Sequence, residues 1–208
     1  PDGTTTKLNA PGTVFDAELR QTLDELVVER SKGADWVVLA GSLPPGLEPT
    51  YYSELVAALR ASGYEGKIAI DTSEAPLIAT VAGEHKPTLI KPNSEELAQL
   101  TGSDNWEELE ASPELTARTA QMLLGDGIEY VLATLGGGGA VLVTEQGIWH
   151  AVHEPIQVRS TVGAGDSSLS GFLIAHTRGE DAPGCLVQAV AHGSAAAALP
   201  GTRMPSLE

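Results

Sequence analysis

Basic residues are scarce in this chain: 12 Lys and Arg stand against 28 Asp and Glu, a formal net charge of -16. Such an excess of negative charge repels nucleic acid and anionic membrane unless a basic patch is hidden, and no Lys/Arg cluster interrupts the sequence. Cysteine is nearly absent. The lone Cys185 excludes an intrachain disulfide framework and fits a reducing cytoplasm. Aromatic residues make up only 4%, so a core must be assembled from Ala, Val, Leu and Ile, which suits layered α/β packing better than a β-sandwich. No long uninterrupted apolar segment and no signal-peptide pattern occur, so the expectation is a soluble cytoplasmic protein with no nucleic-acid or membrane partner.

What is present is ample for one core. Hydrophobic residues are 42% of 208, which predicts a single domain over residues 1–206. Pro1-Asp2-Gly3 reads as a turn inside something longer, and Leu207-Glu208 as a cloning scar. Short apolar runs at 36–40, 67–70, 88–90 and 130–134 predict strands covered on both faces. Between them lie amphipathic stretches at 16–30, 50–61, 74–82, 94–101 and 113–124, with Leu19, Leu23, Leu26 and Val27 at helical spacing in the first. Residues 4–9 alternate as a strand would, and 140–144 with 147–152 read as a hairpin. Helices are expected at 164–177 and, Ala-rich, at 183–198. The acidic run 104–114 reads as a solvated face, and His150 and His153 as hairpin surface residues.

Strand–helix alternation at this spacing predicts an α/β fold with a mostly parallel sheet. Ligands of such sheets bind beyond the carboxyl ends of the strands. The loops there, at 41–46, 71–74, 91–96, 135–139 and 160–166, are the richest in Gly, Pro and polar residues.

The most informative loop is Gly163-Ala164-Gly165-Asp166. A Gly-Ala-Gly turn opening a helix leaves backbone N–H groups uncovered at the positive end of the helix dipole, which is a seat for an anion. A carboxylate placed beside that seat repels a phosphate. It makes sense as the base that takes a proton from a nucleophile attacking the phosphate. The plainer alternative is a glycine turn with Asp166 as an ordinary first-turn residue. Asn93 and Glu96 fall three apart at a helix start and suit Mg²⁺, which keeps several waters, but the same spacing makes a capping box, and by spacing alone the capping box is favoured. Thr134-Leu135-Gly136-Gly137-Gly138-Gly139 either lets nucleotide phosphates approach the backbone or is a tight strand connection. It is not a Walker loop, since no Gly-Lys-Ser/Thr closes it.

Taken with Gly41-Ser42-Leu43-Pro44-Pro45-Gly46, these motifs in this order resemble the ribokinase-like carbohydrate kinases, the phosphofructokinase B family. The resemblance implies a three-layer α/β/α fold and ATP and Mg²⁺ as cofactors. It implies Asp166 as the base, and Gly163, Ala164 and Gly165 as the anion hole. Thr134, Gly136 and Gly139 would lie along the ATP phosphates and ribose, with His192 lining the adenine slot. Asn93 and Glu96 would organise the metal, and Ser42 and Lys7 would reach the sugar phosphate. The Lys-Pro-Asn form and the Ser-Thr-Val lead-in are most similar to the branch converting fructose 1-phosphate and ATP to fructose 1,6-bisphosphate and ADP. The branch acting on tagatose 6-phosphate comes next. Members of the family are about half again as long, so the resemblance also implies that N-terminal strands and a lid are absent here. A full-length relative of this kind would pair as a homodimer through that lid. An inactive nucleotide-binding fragment is the alternative.

Overall fold

A computed structural model describes residues 12–206. Helix α1 (Ala17–Ser31) starts where the side chain of Asp16 accepts a hydrogen bond from the Leu19 N–H at 2.8 Å. It leads into β1 (Trp36–Ala40), α2 (Tyr51–Ala61), β2 (Lys67–Asp71), α3 (Glu74–Ala82) and β3 (Leu89–Ile90). Three helices follow, α4 (Ser94–Thr101), α5 (Trp106–Ala111) and α6 (Pro113–Gln121), before β4 (Tyr130–Thr134). A 3-10 turn (Gly136–Gly138), β5 (Ala140–Thr144), β6 (Gly147–Ala151), α7 (Ala164–Thr177) and α8 (Ala182–Ala197) complete the order. Residues 4–9, read as a strand, lie outside the described residues.

The six strands stand in chain order across one sheet. β1 to β4 pair in parallel, and β4–β5–β6 is an antiparallel meander. Because each parallel strand is added on the same side of the last, crossovers of one hand put α2, α3 and α4–α6 on one face. The period-2 alternation of the strands sorts the core accordingly. Leu39, Ile68, Ile70, Ile90, Val131 and Val143 face that helical layer. Ala69, Leu89, Leu132 and Leu142 face the other, which is built by α7 and α8. The result is the three-layer α/β arrangement that the alternation predicts.

The acidic stretch read as a solvated face is helix α5 in part. Glu107, Glu108 and Glu110 are exposed as expected, but Leu109 is buried and holds the helix to the core. Asn105 caps it, its side chain accepting from the Glu108 N–H at 3.2 Å. One buried anchor in six residues is too short a pattern for a 3.6-residue period to show. Cys185 is a buried residue of α8, and burial pushes its thiol up to about 11, so it is a packing residue.

Two of the scarce aromatics, Trp36 and Tyr130, open β1 and β4. Trp36, Tyr130 and Phe172 surround His176 of α7, with ring centroids 5.1–6.2 Å from the imidazole. The Trp36 indole N–H lies 3.4 Å from His176 Nδ1, and Tyr130 Oη 3.3 Å from His176 Nε2. An indole N–H only donates, so Nδ1 is unprotonated and Nε2 carries the hydrogen. The ring is held neutral. Burial pushes its pKa below the ordinary 6.5, the nearby Lys67 ammonium pushes the same way, and Glu129 opposes them.

A His with a depressed folded-state pKa contributes stability that is fully present above the unfolded value and is lost as pH falls below it, because only the unfolded chain takes up the proton. Urea unfolding between about pH 7.5 and about pH 5.5 should therefore show a steeper loss for the wild type than for His176→Phe. Parallel slopes for the two proteins would refute the assignment.

Candidate active site

The carboxyl ends of β2 and β3 bring two charged residues together inside the protein. Asp71 ends β2, and Lys91 follows β3. The Lys91 Nζ lies 3.0 Å from Asp71 Oδ1, with only 6% and 14% of the two side chains exposed. The same ammonium sits against the first turn of α7: a Cβ built on Gly165 would lie 3.2 Å from it. Burial pushes the Asp71 carboxyl up, Lys91 pulls it back, and the negative charge of Asp166 raises it again. Around one buried cation the fold thus gathers Asp71, Asp166 and Glu96.

Glu96 arrives there through the start of α4. The Asn93 side chain accepts from the Glu96 N–H at 2.8 Å, and Glu96 Oε2 accepts from the Asn93 N–H at 2.9 Å. The two therefore form the capping box that their spacing permits. The box uses one carboxylate oxygen of Glu96. Burial raises this carboxyl, the Asn93 N–H and Lys91 oppose that, and Asp71 and Glu95 add to it. A cation in solution next to this cluster would relieve the crowding of negative charge. Among the described residues no three His, Cys, Asp or Glu converge closely enough to hold a metal alone.

The turn expected to seat an anion stands at the N-terminus of α7. Gly163 is its N-cap with φ 77°, a left-handed conformation that a Cβ would strain. Asp166 stands exposed in the first turn. The lead-in is tied down from behind, where the N–H groups of Arg159 and Ser160 donate to the Ala197 carbonyl of α8 at 2.9 and 3.3 Å.

Beside this seat opens a cavity of about 420 Å³, a size suited to a small organic ligand. Thr134, Gly136 and Gly139 line one end and Ala164 and Gly165 the other. Its apolar wall comes from Ile156, Val158 and the small residues of α8, among them Ala189, Gly193 and Ala197. Thr134 also joins the loop before α4: its N–H donates to the Pro92 carbonyl at 3.0 Å, and it bridges Asn93.

His192 does not line the cavity. It packs against α7, where a Cβ on Gly171 would approach the His192 Cβ to 2.9 Å. Positions 189, 193 and 197 share one helical face, and 192 falls on its flank. Ser42 is exposed on the loop after β1, which is joined to the site by the Gly41 N–H donating to the Asp71 carbonyl at 2.8 Å and by Thr72 Oγ1 donating to the Gly41 carbonyl at 2.8 Å. Lys7 lies outside the described residues. The sequence reading gave no role to Asp71 or Lys91. The signal was available, since each sits at the carboxyl end of an apolar strand, where a charge has no reason to be buried unless it is paired.

The sequence profile of the pfkB family carbohydrate kinases matches residues 2–208. The chain belongs to that family. It is 37% identical over 206 residues to a 1-phosphofructokinase of Haloferax volcanii, covering 97% of this chain and 61% of that protein. A Rhodobacter capsulatus 1-phosphofructokinase is 36% identical over 186 residues, with 85% of this chain and 53% of that protein covered. The chain thus spans about 61% and 53% of the length of these relatives. A crystal structure of Escherichia coli phosphofructokinase-2 in complex with substrates and products superposes with a TM-score of 0.86 at 30% identity, over 98% of this chain and 64% of that one.

Lys91→Met should leave Asp71 buried among carboxylates with no counter-ion. Its carboxyl then rises further above the ordinary 3.8, so the variant is least penalised at low pH and most penalised once the pH exceeds the folded-state value. Chemical denaturation should show a loss of roughly 3 kcal/mol near neutral pH, smaller in acid, and partly restored by adding Asp71→Asn. A loss independent of pH would show that the pair is not what Lys91 stabilises.

Proposed function

We propose that this chain carries the phosphoryl-transfer centre of an ATP-dependent sugar-phosphate kinase converting fructose 1-phosphate to fructose 1,6-bisphosphate. The observation that carries the reading is Asp166 in the first turn of α7, beside an uncovered glycine seat that lines the cavity with Thr134 and the glycine turn. The two halves of that arrangement have different jobs. The N–H groups of residues 163–165 receive the transferring phosphoryl oxygens. Asp166 accepts the proton of the sugar hydroxyl as its oxygen bonds to the γ-phosphorus of ATP, and the bond from that phosphorus to the ADP oxygen breaks.

ATP lies in the cavity in this reading, with its phosphates towards Gly136, Gly139 and the α7 seat and its base along the apolar wall of α8. Asn93 and Glu96, with Asp71 close by, hold Mg²⁺ largely through water. The ion supplies charge neutralisation of the phosphates when bound. Ser42 and Lys7 reach the sugar phosphate. Support for fructose 1-phosphate comes from the two curated relatives named above. Tagatose 6-phosphate is the next substrate to screen.

A second reading, a chain that binds nucleotide without turning over sugar, is supported by the solvent exposure of Asp166. A centre open to water loses the exclusion that favours transfer over hydrolysis.

A coupled ADP-release assay with fructose 1-phosphate decides between them. Sugar-dependent turnover by the 208-residue chain supports the kinase, and ATP binding without turnover supports the second reading. In whichever chain turns over, Asp166→Asn should lower kcat at least ~100-fold while ATP affinity stays within about twofold. Retained turnover would remove Asp166 from the mechanism.

A further inference from the structure

The glycine turn raises a physical problem that its own sequence does not solve. Residues 136–139 are four consecutive glycines, each with more backbone freedom than any other residue. The turn closes on itself through three backbone bonds: Leu135 N–H to the Gly139 carbonyl at 2.9 Å, Gly138 N–H to the Leu135 carbonyl at 2.8 Å, and Gly139 N–H to the Gly136 carbonyl at 3.3 Å. The last is long. Two of these glycines have positive φ, 52° at Gly136 and 83° at Gly139. A loop of this kind has many conformations close in energy, yet a phosphate cradle requires one.

β6 supplies what the turn lacks. At Gly139 a Cβ would overlap the Ala151 carbonyl oxygen, so β6 presses directly on the backbone there. One residue earlier on β6, His150 reaches across: its Nε2 lies 2.8 Å from the Gly138 carbonyl oxygen. A carbonyl only accepts, so Nε2 carries the hydrogen and donates it. Among the described residues this is the one side-chain hydrogen bond to the backbone of residues 135–139. On its other side the turn faces α5, where a Cβ on Gly136 would come within 3.0 Å of Glu110 Oε1. Because the peptide unit is planar, fixing the Gly138 carbonyl also fixes the Gly139 N–H, the donor of the long bond. His150 itself is exposed and pairs across the sheet with Val141, so its side chain has no packing duty in the core.

We propose that His150 is a positioning residue for the nucleotide: by holding the Gly138 carbonyl it locks the glycine turn into the single conformation that lines the cavity. The inference rests on the kinase reading for the identity of the ligand, but the lock itself is a property of the free protein. It assigns a role to a histidine that hairpin placement alone marks as surface.

Two variants and two readouts on the 208-residue chain test it. His150→Ala removes the donor. His150→Gln keeps an N–H at the same number of bonds from the backbone. Amide hydrogen exchange without nucleotide should be faster at Gly138 and Gly139 in His150→Ala and near wild type in His150→Gln. Titration with a fluorescent ATP analogue should give about five- to tenfold weaker binding for His150→Ala, restored by His150→Gln, with thermal stability unchanged. A merely structural role would lower stability and leave the exchange at these two amides in step with the rest of the sheet. Unchanged exchange in His150→Ala overturns the proposal whatever the nucleotide does. Faster exchange with unchanged ATP affinity overturns the link to the nucleotide. A wild-type chain that binds no ATP overturns the kinase reading, and the exchange data still judge the lock.

Discussion

One buried ammonium holds the candidate site together. The Lys91 side chain leaves the end of β3, pairs with Asp71 at the end of β2, and rests against Gly165 at the start of α7. Three elements from two layers of the fold therefore meet at a single charge. In a protein with a formal net charge of -16, the local consequence is larger than the pair itself. Asp71 and Glu96 are both pushed towards protonation by burial, each is raised further by a neighbouring carboxylate, and Lys91 opposes both shifts. A buried pair of this kind contributes little net stability, because desolvation offsets most of its attraction. Its effect is positional. It allows acidic groups to be kept beside the α7 turn proposed to seat an anion, an arrangement that mutual repulsion would otherwise open.

The second constraint is the closeness of α7 and α8. A Cβ on Gly171 would come within 2.5 Å of the Gln188 carbonyl oxygen, and one on Gly193 within 3.2 Å of Ser168 Cβ. Small residues at these crossings let the backbones approach. Two results follow from the same feature. The helices cover one face of the sheet, so Leu132, Leu142 and Phe172 are buried. On the flank where α8 presents Ala189, Gly193 and Ala197, the space left by the missing side chains remains as cavity. The low aromatic content and the Ala-rich final helix are thus connected to the shape of the site and not only to the make-up of the core.

Much of this was legible in the sequence. The continuous apolar run of 130–134 is buried as expected. The run of 36–40 instead forms the edge strand, where Leu39 is buried but Val38 and Ala40 are exposed, because a run of apolar residues does not say which strand ends the sheet. The alternation of strands with helices nevertheless marked the sheet as mostly parallel. The convergence of the loops on one edge then followed from topology. What was not legible had a common cause. Asp71 and Lys91 are 20 residues apart in number, and no local pattern shows that two strand ends are neighbours with one charge each. The face on which His192 lies depends on the rotation of α8 about its axis, which an almost uniform Ala stretch does not specify, because a weakly amphipathic helix has no dominant apolar stripe. α5 escaped notice because one buried Leu109 holds it.

The capping box at Asn93 and Glu96 bears on how the two readings of a motif relate. Spacing favoured the cap over the metal, and the cap is formed. The two readings are not exclusive. A capping box fixes the rotamer of a glutamate through one oxygen and leaves the other outside the box. It also holds the carboxylate within reach of the charge of Asp71. Local structure and chemistry then draw on the same atoms: the bond that begins α4 also aims a carboxylate at the cluster around Lys91. The same logic holds at Gly163, where the left-handed turn that starts α7 is also what uncovers the N–H groups beside Asp166. In both places a helix end does the positioning, so a substitution that damages the cap should disturb the site before it disturbs the fold.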